Sequence, residues 1–166
     1  MSRNVRLMAC TPEDVFRVLD NGWLFPSWVV GASRMRDVGE AWPAVGSRLH
    51  HSFGVWPVLI DDATEALERE YPRRFVLRAK GWPLGEARVV LDLKPQGEKT
   101  LVRIQEEAIA GPGSWIPAPL LDLPLLWRNA ETLHRLAYLA EGMSPHPVGE
   151  TSAEDESDAE DEESGS

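Results

Sequence analysis

Two ionisable side chains fall where alternation puts apolar ones. In a strand neighbouring side chains point to opposite faces, so over residues 46–56 Leu49, His51, Phe53 and Val55 share one face, while Arg48, His50 and Ser52 share the other. The same test over 99–110 groups Val102, Ile104, Glu106, Ala108 and Ala110 against Arg103, Gln105 and Glu107. Over 85–94 it groups Ala87, Val89, Leu91 and Leu93 against Arg88 and Asp92. A buried, unpaired carboxylate costs several kcal/mol even after relaxation, so Glu106 must be paired, hydrogen-bonded or neutral. Glu106 is thereby a candidate acid, base or ligand anchor. The alternatives are a β-bulge at Glu106-Glu107 that turns it outward, or a structural partnership with Arg128, Asn129 or a tryptophan. His51 is the second candidate, against the alternative of a core histidine satisfied by a backbone carbonyl. Facing one cavity, the two would make an acid/base pair.

Trp23, Trp28, Trp42, Trp56, Trp82, Trp115 and Trp127 make tryptophan several times commoner than the ~1% of ordinary proteins. Large flat side chains suit a pocket for a flat or apolar ligand, and they equally suit a filled core. The pocket reading selects Trp23, Trp28, Trp82, Trp115 and Trp127, with Phe53, Val89, Leu91, Ile104, Leu123 and Ala130 as apolar wall. Metal binding is not expected. His50 and His51 are adjacent and point apart, and with Cys10 and His134 they match no zinc spacing. No glycine-rich phosphate loop and no nucleophile elbow occur, and no cofactor is expected; Gly111-Pro112-Gly113 fits a lid or hinge. Arg128, Asn129, Thr132 and Arg135 lie beside the apolar stripe of the last helix, either as polar groups at a cavity edge or as caps for loop carbonyls.

These residues need elements to place them. An alternating strand, Asn4 to Ala9, precedes Thr11-Pro12-Glu13-Asp14, which supplies an N-cap, a first-turn proline and first-turn acids for a helix from 11 to about 20. Gly22 stops it, and 22–31 reads as a short second helix or irregular turn rich in aromatics. Two-residue alternation broken by Gly and Pro then predicts antiparallel strands near 32–38, 46–56, 59–70, 73–82, 85–94 and 99–110. A long helix from about Pro119 to Glu141 repeats Leu123, Leu126, Trp127, Ala130, Leu133, Leu136, Ala137 and Ala140 at three and four spacing, and Gly142 ends it.

This α+β order of one strand, two short helices, six antiparallel strands and a long helix resembles the START-like, or SRPBCC, helix-grip fold over residues 3–141. Thr-Pro-Glu-Asp-Val-Phe at 11–16, Trp-Val-Val-Gly at 28–31, Trp-Pro-Ala-Val-Gly at 42–46 and Arg-Asn-Ala-Glu-Thr-Leu at 128–133 are similar to the polyketide cyclase/dehydrase and carbon monoxide dehydrogenase-associated branches. The resemblance implies a curved antiparallel sheet wrapped around the C-terminal helix, with a cavity between them. It decides no reaction, because the superfamily spans carriers, receptors, cyclases and a chaperone activator. The oxygenase branch is set aside, since its pattern of iron ligands is missing.

Charge narrows the partners. The chain carries 17 basic and 27 acidic side chains, and from Met143 onward it holds 9 of the acids and none of the bases. Residues 1–142 are therefore near neutral, and nucleic acid is not an expected partner. The expected organisation is a START-like domain at 1–142 and a disordered acidic tail at 143–166, either merely solubilising or contacting a protein partner. No secretion signal is read and no apolar run reaches the ~20 residues of a membrane span, so a cytoplasmic location is expected. Three functions remain: binding of a small hydrophobic, lipid-like or polyketide-like ligand, cyclase, aromatase or dehydratase chemistry by Glu106 or His51, and an accessory interaction module.

Overall fold

Thr11 begins the first helix by a reciprocal exchange. Its hydroxyl accepts the Asp14 N–H at 3.3 Å, and the Asp14 carboxylate accepts the Thr11 N–H at 3.1 Å. The structure, a computed structural model, describes residues 2–55, 57–81, 85–111 and 118–145, with the side chains of all of these except 55, 58, 81 and 118–125. Along the chain run β1 (Ser2–Met8), α1 (Pro12–Asp20), a 3-10 turn (Gly22–Leu24), α2 (Phe25–Trp28), β2 (Ala32–Val38), β3 (Arg48–Val55), β4 (Val58–Glu70), β5 (Arg74–Gly81), β6 (Gly85–Gln96), β7 (Lys99–Ala110) and α3 (Ala118–Gly142). The strands form one antiparallel sheet in the order β1-β7-β6-β5-β4-β3-β2. Every neighbouring pair is joined in sequence except β1 with β7.

The helices cover one face of this α+β sheet. Val15, Phe16, Val18 and Leu19 of α1 and Leu133, Leu136, Ala137 and Ala140 of α3 are buried with Leu49, Phe75, Leu91 and Val102 from the strands. Because α3 packs on β1, the first strand is fixed by side chains as well as by the sheet. Asn4 Nδ2 donates to the Leu126 carbonyl at 2.9 Å, Asn129 Nδ2 to Ser2 Oγ at 2.9 Å, and the Ala9 N–H to Glu141 Oε1 at 2.8 Å. That last bond engages Ala9 just past Met8, where β1 ends one residue before the alternation predicts.

β6 outruns its expected end at residue 94. Pro95 continues the strand opposite Thr100, and Gly97, with φ +61°, turns the hairpin that pairs Gln96 with Lys99. A proline is tolerated there because the β5 register ends at Arg74 with Asp92, and the next β6 N–H, that of Leu93, goes to the Arg73 carbonyl. Beyond Leu93 the strand has β7 alone beside it, so no hydrogen bond is lost. Among the described residues no helix is long and apolar enough to cross a membrane.

Candidate functional site

A cavity of about 180 Å³ lies between the sheet and the helices α2 and α3. Its apolar wall is built from Phe25, Trp28 and Val29 on one side, and from Phe53, Leu77, Ala79, Ala87, Val89, Ile104 and Ala108 on the strands. The Phe25 ring meets Trp28 edge to face at 5.4 Å and lies 5.0 Å from the His51 ring. Gly31 sets the position of Phe53. It has φ +101°, and a Cβ there would stand 2.3 Å from the Phe53 ring, so a side chain would meet both backbone strain and the cavity wall.

Glu106 faces inward, as the parity of β7 requires. Residues 102, 104 and 106 are all buried, and the register irregularity between β6 and β7 falls beyond it, where Glu86 and Ala87 oppose Ala110 and Ala108. Its carboxylate is paired with the Arg128 guanidinium from α3, and both residues line the cavity. The neighbouring polar groups of α3 are also engaged: Asn129 with Ser2, and Thr132 Oγ1 accepting the Val30 N–H at 3.3 Å. Thus Arg128 joins helix to sheet across the cavity, where capping of loop carbonyls was the alternative.

The second polar cluster is on β3 and β4. His51 Nε2 and Thr64 Oγ1 are 3.0 Å apart, and Nδ1 has no hydrogen-bond partner among the described residues. Burial first, then the positive charge of Arg36, pushes the imidazole down to about 4, outweighing a nearby Ser52 backbone group that favours the cation. The ring is neutral at pH 7. Directly across the ladder from His51 stands Asp62, 8% exposed and also in the wall. Asp62 Oδ1 accepts the Ala63 N–H at 2.6 Å, and no cationic side chain comes within ion-pair distance among the described residues. Burial pushes this carboxyl above its ordinary value, against the Ala63 bond and the charges of Lys80 and Arg36.

Of the residues expected to line a pocket, Trp28, His51, Phe53, Val89, Ile104 and Glu106 meet in this cavity. Four stand elsewhere. Trp23 is 61% exposed, because the preceding Gly22 lies so close to β3 that a Cβ would be 2.6 Å from Leu49, and the next side chain turns out. It borders a separate surface groove with Glu13, Glu40, Trp42 and Tyr71. Trp127 is 71% exposed and Ala130 is exposed, since each is one or two helical steps of 100° away from the inward row of Asn129, Leu133 and Leu136. Leu91 is fully buried in the core cluster rather than in the cavity wall. Trp82, Trp115 and the Leu123 side chain lie outside the described residues, as do the Gly111-Pro112-Gly113 hinge beyond Gly111 and the tail from residue 146. Cys10 is buried, and its thiol is pushed up to about 12 by burial and then by Asp14 and Glu141, so it is protonated at pH 7. Among the described residues no group of three His, Cys, Asp or Glu side chains is placed to hold a metal ion.

Sequence reasoning passed over Asp62, Thr64 and Leu77. For the first two the signal was parity again, since Asp62, Thr64 and Ala66 alternate inward along β4, but an Asp-Thr-Ala series has the polarity of an outward face.

No family model matches the chain, and no curated protein sequence matches it. Solved structures do. A conserved protein from Geobacillus kaustophilus superposes with a TM-score of 0.65 at 15% identity, over 84% of this chain and 94% of that one. A protein from Chromobacterium violaceum gives 0.60 at 21% identity, over 82% and 94%. DynU16, a protein in the dynemicin biosynthetic locus, gives 0.62 at 19% identity, over 87% of this chain and 48% of its own length. At these identities what is shared is the fold.

Proposed function

We propose that the chain is a START-like helix-grip domain that binds a small hydrophobic or aromatic molecule between its sheet and C-terminal helix. The observation that carries this reading is the cavity itself, apolar over most of its wall and furnished with a few buried polar groups on β4, β7 and α3. That composition is the usual one for a small-molecule site, in which apolar area supplies affinity and polar groups supply orientation. Native mass spectrometry of the purified protein, set against its denatured mass and followed by solvent extraction, tests it. A stoichiometric apolar adduct is expected. Absence of an adduct, with no thermal shift against aromatic and lipid panels, would sink it.

A second reading, cyclase, aromatase or dehydratase chemistry, is favoured by His51. A neutral imidazole stands in the cavity wall with a buried carboxyl directly across the ladder, and with protonation held down to about 4 it would serve as base only toward an acidic proton of a bound molecule. Glu106 is less suited to moving protons, because Arg128 holds it as an ion pair. Turnover lost in His51→Ala and retained in Glu106→Gln, with ligand bound by both, is the outcome that would establish this reading.

A further inference from the structure

We propose that Asp62 is the polar anchor of the cavity, and that the molecule it selects is a single aromatic ring bearing a hydroxyl group. This rests on the reading of the cavity as a ligand site and adds to it the size and chemistry of the occupant.

The size comes from the volume. About 180 Å³ is little more than the ~150 Å³ cavity that holds a benzene ring, and well below the ~300 Å³ at which drug-sized pockets begin. One ring with a short substituent matches that volume. The aromatic character comes from Phe25, Trp28 and His51, whose rings stand edge to face and tilted against one another and offer the same contacts to a further ring.

The hydroxyl follows from which polar groups remain unanswered. Glu106 is paired with Arg128, Asn129 with Ser2 and Thr132 with Val30, while the neutral His51 ring meets Thr64 through Nε2 and leaves Nδ1, across the ladder from Asp62, without a partner among the described residues. Asp62 is the buried carboxyl of the wall that has no cationic partner among the described residues. One of its oxygens takes the Ala63 N–H, and the other receives no hydrogen bond from a described residue, although the side chain is more than nine-tenths buried and lines the cavity. A buried carboxyl left in that state calls for a donor from whatever fills the space. An ammonium group is the poorer donor here, because Lys80 is already in the wall and the Arg36 guanidinium bonds the Asp62 carbonyl at 3.4 Å. An uncharged hydroxyl donates to the carboxyl without adding a third cation.

The test is calorimetric titration of the full chain with p-cresol, toluene, 4-methylbenzylamine and palmitate, repeated on Asp62→Leu. Asp62→Asn is the companion variant, closer in shape, should the leucine variant fail to fold. We expect p-cresol to bind at least about tenfold more tightly than toluene, the scale of one hydrogen bond to a charged group. That margin should vanish in Asp62→Leu and shrink in Asp62→Asn, while toluene binds all three chains alike. Equal affinities for p-cresol and toluene, a margin that survives in Asp62→Leu, or tightest binding of the amine would overturn the assignment of Asp62 to a hydroxyl. Palmitate binding where none of the three ring compounds does would overturn the ring and leave the hydrophobic-ligand reading standing. No binding of any of the four by the folded chain removes that reading itself.

Discussion

His51 couples the stability of this fold to acidity. Folded, its ring resists protonation down to about 4, whereas the unfolded chain takes the proton near 6.5. The unfolded state therefore binds more protons between those values, and the contribution of His51 is fully present above pH 6.5, falls as the pH drops, and is exhausted near pH 4, a loss of up to about 3 kcal/mol. Asp62 works in the opposite sense, since its raised value means that acidification relieves the cost of a buried charge. Denaturant melts at pH 7.5 and 5 should show a fall that His51→Gln flattens and Asp62→Asn steepens over the range in which that carboxyl titrates. Arg128→Ala leaves the Glu106 carboxylate buried without its partner, at a cost of about 2 kcal/mol, below the usual price of a fully buried pair because Arg128 is partly exposed. Replacing both together, Glu106→Leu with Arg128→Met, should restore most of it. Both Glu106 and His51 were legible from strand parity alone, because each interrupts an otherwise apolar face. Asp62 was not, because its whole inward series is polar or small, and only the ladder that sets it across from His51 shows which way it faces.

At the scale of elements, helix starts and turns carry their own instructions. Thr11→Ala removes one half of the capping exchange with Asp14 and should cost about 1 kcal/mol in a thermal or chemical melt. Gly31→Ala and Gly46→Ala make a sharper comparison, since both glycines have positive φ but of the two only Gly31 has a neighbour within 4 Å of an added Cβ. A Cβ at Gly46 meets nothing within 4 Å, so that change should cost the backbone strain alone, about 1 kcal/mol. At Gly31 the new methyl group displaces the Phe53 ring, and the variant should lose ligand affinity as well as stability. Capping, glycine stops and alternation made most element positions readable. What they left unread depends on neighbours: β6 runs through Pro95 because β5 has already ended, and Trp23 turns outward because Gly22 is pressed against Leu49. The helical period of α3 gave a stripe broad enough to include Trp127 and Ala130, and only packing against β1 and α1 fixes which part of it is covered.

Across the whole molecule, the described chain closes where the acidic segment begins. The Arg17 guanidinium bonds the Met143 carbonyl at 3.1 Å, and Ser144 Oγ bonds Asp14 at 3.1 Å. A chain ended after Pro145 keeps both contacts and, since the composition of residues 146–166 offers little apolar surface to bury, should melt within about 0.5 kcal/mol of the full length. Ending it after Gly142 removes both and should lower the melting temperature measurably. The sheet order has a kinetic consequence. β2 to β7 pair in succession, each with the next, but β1 finds its partner only in β7, so Ser2 waits for Glu106, and Asn4 for Leu126. The meander is able to assemble by local steps while the first strand and last helix arrive together, late, closing the longest loop in the molecule. The cavity has walls on the meander and on α3, so the expectation is that an occupant leaves fastest when β1 and α3 detach as a pair while the meander stays folded. Hydrogen exchange should then find one common opening rate for β1 and α3 amides, slowed by ligand, and the residence time of the ligand should follow that rate.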